Sequence, residues 1–87
     1  MSILKVSIRQ IKAARALLGW SQDDLAKNSG VSAPTIKRLE AAEGDIGGRS
    51  VTGESLVAAL QEAGVEFIQE NGGGAGVRLA KRQRRPR

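Results

Sequence analysis

The apolar positions of this chain recur at helical spacing over its first 64 residues and alternate only near its end. Ile8, Ile11, Ala14 or Arg15, and Leu18 mark the inner face of a first helix that Ser7 caps and Gly19 stops. Residues 1–6 before it are apolar enough for a short strand or an ordered lead-in. Ser21 opens a second helix, with Asp23 and Asp24 where the helix dipole favours negative charge. Leu25 and Ala26 give that helix its apolar face, and Gly30 ends it. Ser32 caps a third helix, in which Ile36 and Leu39 lie three apart on one face. Its pattern continues through Ala41 and Ala42 to an end near Gly44. The stretch 44–53, GDIGGRSVTG, reads as a loop with four glycines. A fourth helix is expected from Thr52 or Gly53, with Leu56, Val57 and Leu60 as its stripe and Gly64 as its stop. Beyond it, Val65–Ile68 and Val77–Leu79 alternate on either side of Asn71-Gly72-Gly73-Gly74, and Asn-Gly between two such runs predicts a β-hairpin.

The reading is therefore mainly α: four helices enclosing one small core, followed by a C-terminal β-hairpin. Residues 1–64 form the helical domain, 65–80 the hairpin and 81–87 a basic tail. A lone hairpin is marginal in water, so this one must lie on its own helices or pair with a second copy. Trp20, the sole Trp, is expected to pack into the corner between helices 1 and 2 rather than stack on a base.

Two short helices joined by a tight turn at Gly30 form a helix-turn-helix. With Ile36 and Leu39 inward, the outward residues of helix 3 are Ala33, Pro34, Lys37 and Arg38, with Thr35 at the margin. A face with two long cations suits a major groove, where Arg or Lys donates to guanine O6 and N7; Lys and Arg also decorate ordinary solvated helices. Arg9 and Lys12 fall on the outer face of helix 1, placed for phosphates. Arg49 sits in the loop, either reaching a phosphate or simply solvated.

Residues 11–44, IKAARALLGWSQDDLAKNSGVSAPTIKRLEAAEG, resemble the Cro/C1 (Xre) family of helix-turn-helix regulators. Arg15, Gly19, Ser21-Gln22, Leu25-Ala26, Gly30-Val31-Ser32, Ile36 and Leu39-Glu40 carry the resemblance. It implies a lambda-repressor-like fold in which Gln22 clamps a DNA phosphate and the first residues of helix 3, from Ser32, meet the bases. It also implies an ion pair between Arg15 and Glu40. The chain departs from phage repressors at Ala33-Pro34, where polar base readers often stand, which moves direct readout toward Thr35, Lys37 and Arg38.

Charge refines this picture. The net charge is +5, yet Lys81, Arg82, Arg84, Arg85 and Arg87 supply five cations, and the other 80 residues hold nine basic and nine acidic groups. Residues 1–20 carry four cations and no acid, whereas 50–80 carry Arg78 against Glu54, Glu62, Glu66 and Glu70. One face of the body is thereby inclined toward a phosphate backbone. The tail KRQRRPR has no apolar side chain to bury and reads as a disordered arm that tracks DNA, or as a solvated end.

At 87 residues, with no Cys and no His, the chain excludes disulfides, thiolate or His metal sites and His- or Cys-based catalysis. NGGGAG lacks the Lys and strand–loop–helix setting of a phosphate loop and reads as a turn. No cofactor, metal or enzyme activity is expected. No apolar run approaches the ~18 residues of a membrane span, and a cytoplasmic location is expected. Double-stranded DNA is the expected partner of a dimeric transcriptional repressor that inserts helix 3, about residues 32–43, into the major groove and dimerises through the hairpin or helix 4. The alternative is an antitoxin-type interaction module, whose hairpin neutralises a toxin and which represses its own operon.

Overall fold

A computed structural model describes residues 6–42, 44 and 51–80. It contains α1 (Ile8–Leu18), α2 (Gln22–Ser29), α3 (Ala33–Ala41), α4 (Val51–Glu62), β1 (Val65–Ile68) and β2 (Gly76–Leu79). The fold is mainly helical with a two-stranded antiparallel hairpin.

Each of the first three helices starts on a serine. Ser7 accepts from the Gln10 amide at 3.1 Å while its own N–H donates to Gln10 Oε1 at 2.9 Å. Ser21 and Asp24 repeat this reciprocal box at 3.0 and 2.9 Å, and Ser32 accepts from the Thr35 amide at 3.4 Å. Each box satisfies two backbone amides that the helix itself leaves without partners. Helices α1 and α2 end on Gly19 (φ 70°) and Gly30 (φ 79°), a left-handed backbone in which a Cβ would be strained. These two glycines make both inter-helix turns short.

The core is built from Val6, Ile11, Ala14, Leu25, Ile36, Leu56, Ala59, Leu60 and Val65. Five of these, Ile11, Leu25, Ile36, Leu56 and Leu60, are large and fully buried. Each is worth roughly 1.5–3 kcal/mol of burial. Together they tie α1, α2, α3 and α4 to one centre. Trp20, Leu39 and Leu18 pack against its rim. Val6, the one described residue of the 1–6 lead-in, is buried.

The structure moves two element boundaries. Helix α3 ends at Ala41, with Ala42 extended (ψ 179°), rather than continuing through Ala42 to Gly44. The chain leaves the helix early to place the Gly44 carbonyl 2.8 Å from the Ile8 amide, an orphan donor of α1's first turn. Helix α4 is already helical at Val51 rather than starting at Thr52 or Gly53, and Gly53 lies buried in its first turn. Val65 pairs with Leu79 and Ile68 with Gly76, which leaves residues 69–75 to connect the strands, with Asn71-Gly72-Gly73-Gly74 inside that connection.

The hairpin lies on the helices, with β1 against α4 and β2 against α1. Val65 is part of the core, and Phe67 and Val77 pack on it. Gln10 fastens the end next to the connecting loop. Its Nε2 donates to the carbonyls of Gly76 (2.8 Å) and Ile68 (3.3 Å), one on each strand.

Candidate nucleic-acid interface

Helix α3 presents Pro34, Lys37, Arg38 and Ala41 as its exposed positions. They are spaced i, i+3, i+4 and i+7, and so lie along one stripe of the helix. The opposite side buries Ile36 and Glu40. Ala33 and Thr35 are half-buried, so Ala33 is less outward than its position in the pattern predicts. The Ser32 hydroxyl donates to Thr35 Oγ1 at 2.9 Å while it caps the helix.

Glu40 fixes where this stripe points. It is 6% exposed, and Arg15 grips it with two bonds, Nε to Oε2 at 2.8 Å and Nη2 to Oε1 at 2.7 Å. Arg15 also donates from Nη1 to the Trp20 carbonyl at 2.9 Å, and Gln22 Nε2 donates to Glu40 Oε1 at 2.9 Å. One carboxylate thus joins α1, the α1–α2 turn, α2 and α3. Burial pushes the Glu40 carboxyl up, but bonds from Arg15 and Gln22 and the charges of Arg15 and Lys12 outweigh it and hold it below the usual carboxylate range. The Arg15 guanidinium is raised chiefly by its bond to Glu40, against the cost of burial. A bidentate pair of this kind is geometrically selective. It ties α1 to α3.

The pairing has an electrostatic consequence. With Glu40 neutralised by Arg15, α3 exposes Lys37 and Arg38 with no acid in its first turn. Arg9 and Lys12 are exposed on α1, and Lys12 lies near enough for its charge to act on Glu40. Lys12 therefore belongs to the α1 surface beside the α3 network.

The amino end of α2 is different in kind. Asp23 and Asp24 occupy its first turn, and Asp24 is held below the usual range by the Ser21 amide and then by the Ser21 hydroxyl. Two carboxylates there oppose a phosphate. Gln22, for which the resemblance implies a phosphate contact, spends one amide hydrogen on Glu40. Arg49 and the 81–87 tail lie outside the described residues.

The reading of the sequence missed Gln10 as a structural residue. Its signal was the S-x-x-Q spacing from Ser7, a capping box in plain view. The contacts to Ile68 and Gly76, 58 and 66 residues away, left no such mark.

Among the described residues there is no group of acids that could hold a metal, and no helix is long and apolar enough to cross a membrane. No curated protein matches the chain. A helix-turn-helix family model matches residues 11–66, from the second turn of α1 into β1 and thus across all four helices. By that match the chain belongs to the helix-turn-helix family of Cro/C1 type, a family of DNA-binding regulatory domains.

Proposed function

We propose that the chain is a sequence-specific transcriptional regulator that binds double-stranded DNA with α3 in the major groove. The observation that carries the reading is the exposed stripe Pro34–Lys37–Arg38–Ala41, held outward by the buried Arg15–Glu40 pair. Arg38 and Lys37 offer donors to guanine, and Arg9 and Lys12 offer charge to phosphates on the flank. The protein acts in the cytoplasm as a homodimeric repressor. Each strand of the hairpin has one neighbour among the described residues, and Leu79 at the end of β2 is 39% exposed. A second copy covers that edge and places two recognition helices about one turn (~34 Å) apart on a pseudo-palindrome.

The test is binding of the full chain to its own upstream region and to random duplex, each at two salt concentrations. A preference of ~10³ or more with a steep salt slope supports the regulator. Arg38→Ala should then cost about 1–3 kcal/mol on the specific site alone. Absence of binding at low salt refutes the reading.

A further inference from the structure

The first turn of α3 is short of polar readers, and that bears on which bases it takes. The single hydroxyl hydrogen of Ser32 goes to Thr35 Oγ1, and its oxygen accepts from the Thr35 amide. Thr35 is half-buried and accepts that bond, which leaves its one hydroxyl hydrogen as a side-chain donor in this turn. Ala33 and Pro34 have no polar side-chain atom, Pro34 has no N–H, and Pro34 stands exposed in the helix's first turn. One turn on, Lys37 and Arg38 are exposed and carry donors only.

Base edges in the major groove present one apolar group, the thymine C5 methyl, whereas guanine presents two acceptors, O6 and N7. We propose that Pro34, with Ala33 beside it, reads thymine methyl groups, and that Lys37 and Arg38 read a guanine next to them. Pro34 and Arg38 are four residues apart, about 6 Å along the helix axis at ~1.5 Å per residue. Even a helix parallel to the duplex axis would span no more than about two base-pair steps of ~3.4 Å over that distance. The half-site therefore places its guanine within about two base pairs of the thymine. The two apolar residues are specificity determinants in their own right, rather than gaps in a polar reading face. The inference rests on the DNA-binding reading above and deepens it.

The experiment begins by selecting binders of the full chain from a randomised duplex pool. In the enriched site each thymine is then replaced by deoxyuridine, which deletes the methyl and leaves base pairing intact. Loss of one methyl contact of ~0.8 kcal/mol corresponds to about fourfold weaker binding. The expected result is such a loss at one or two thymines within two base pairs of a required guanine, and none at thymines outside the α3 footprint. Pro34→Gln should erase that sensitivity and move the preference at the same position toward adenine, whose N6 and N7 match an amide. Because the uracil series needs no variant, a folding defect in P34Q would not confound it.

Enrichment without any uracil sensitivity overturns the methyl reading and leaves the regulator standing. Sensitivity that persists in P34Q assigns the methyl to another residue and overturns the role of Pro34. Failure to enrich any sequence refutes both this inference and the function on which it rests.

Discussion

Replacing Glu40 by Gln is the most informative single change, because it keeps the shape of the side chain and removes its charge. Arg15 would lose its anion and Gln22 its charged acceptor, while the guanidinium kept its bond to the Trp20 carbonyl. Breaking a buried pair from one side costs about 3–5 kcal/mol. Arg15 remains 19% exposed and can recover some hydration, so the lower end, about 3 kcal/mol, applies. An 87-residue domain holds about 4–13 kcal/mol in total. At 4–8 °C per kcal/mol the melting temperature should fall by about 12–24 °C at pH 7.

The pH dependence supplies an independent check. Glu40 has a folded-state pKa below its unfolded value. Its contribution is therefore fully present above the ordinary carboxylate range, about pH 4.3, and is lost as pH falls through the depressed folded value. Asp24 titrates in the same direction but is present in both proteins, so the difference between wild type and E40Q isolates Glu40. Thermal unfolding followed by circular dichroism should show a wide gap at pH 7 that closes below about pH 4. A gap of under about 4 °C at pH 7, or one that stays constant down to low pH, would refute the account of the pair.

Three further changes probe the other assignments. Gln10→Ala removes two bonds to strand carbonyls and one to the Ser7 amide, and should cost about 2–3 kcal/mol with faster amide exchange in β1 and β2; unchanged exchange in the hairpin would show that Gln10 does not fasten it. Lys12→Ala should weaken binding to specific and random DNA alike and flatten the salt slope by about one unit; an unchanged slope removes Lys12 from the footprint. Asp23→Asn takes an exposed carboxylate from the first turn of α2 and should tighten binding to random duplex at low salt about twofold, the equivalent of ~0.5 kcal/mol of screened repulsion. If affinity does not change, the amino end of α2 does not face a phosphate.

What was legible in the sequence follows from what is local. Ser7, Ser21 and Ser32 announce helix starts because a cap is a contact within four residues, and Gly19 and Gly30 announce stops because few other residues tolerate φ near +70°. Ile36, Leu56 and Leu60 announce the core because burial repeats at 3.6 residues. The errors sit where distant segments dictate the backbone. Ala42 is a good helix former and would have continued α3, but the bond from Ile8 to Gly44 across the domain draws the chain out of the helix. Gly53 reads as a boundary because glycine is costly in an open helix, yet it lies buried inside the first turn of α4. Asn71-Gly72-Gly73-Gly74 marked the hairpin connection correctly, because turn residues between two alternating runs are again a local signal.

The site was legible to a different degree. Lys37 and Arg38 could be placed outward from Ile36 and Leu39 alone, because a helix with two fixed inner positions has its outer stripe fixed as well. Exposure, however, does not say in which direction a stripe faces. That is decided by the carboxylate of Glu40, which reaches from α3 to Arg15 on α1 and to Gln22 on α2. The same arrangement changes the meaning of Gln22, whose residue type suits a phosphate and whose amide already donates to Glu40 inside the protein. It also changes the electrostatic map: the one acid on α3 is cancelled internally, whereas the acids of α2 remain at its exposed amino end. Among the described residues, attraction for a polyanion is thereby greater on α3 and the adjoining surface of α1 than at the amino end of α2. On the function we propose, a groove-bound pose that follows this gradient would bring α3 in first, with Arg9 and Lys12 rather than the end of α2 carrying the phosphate contacts.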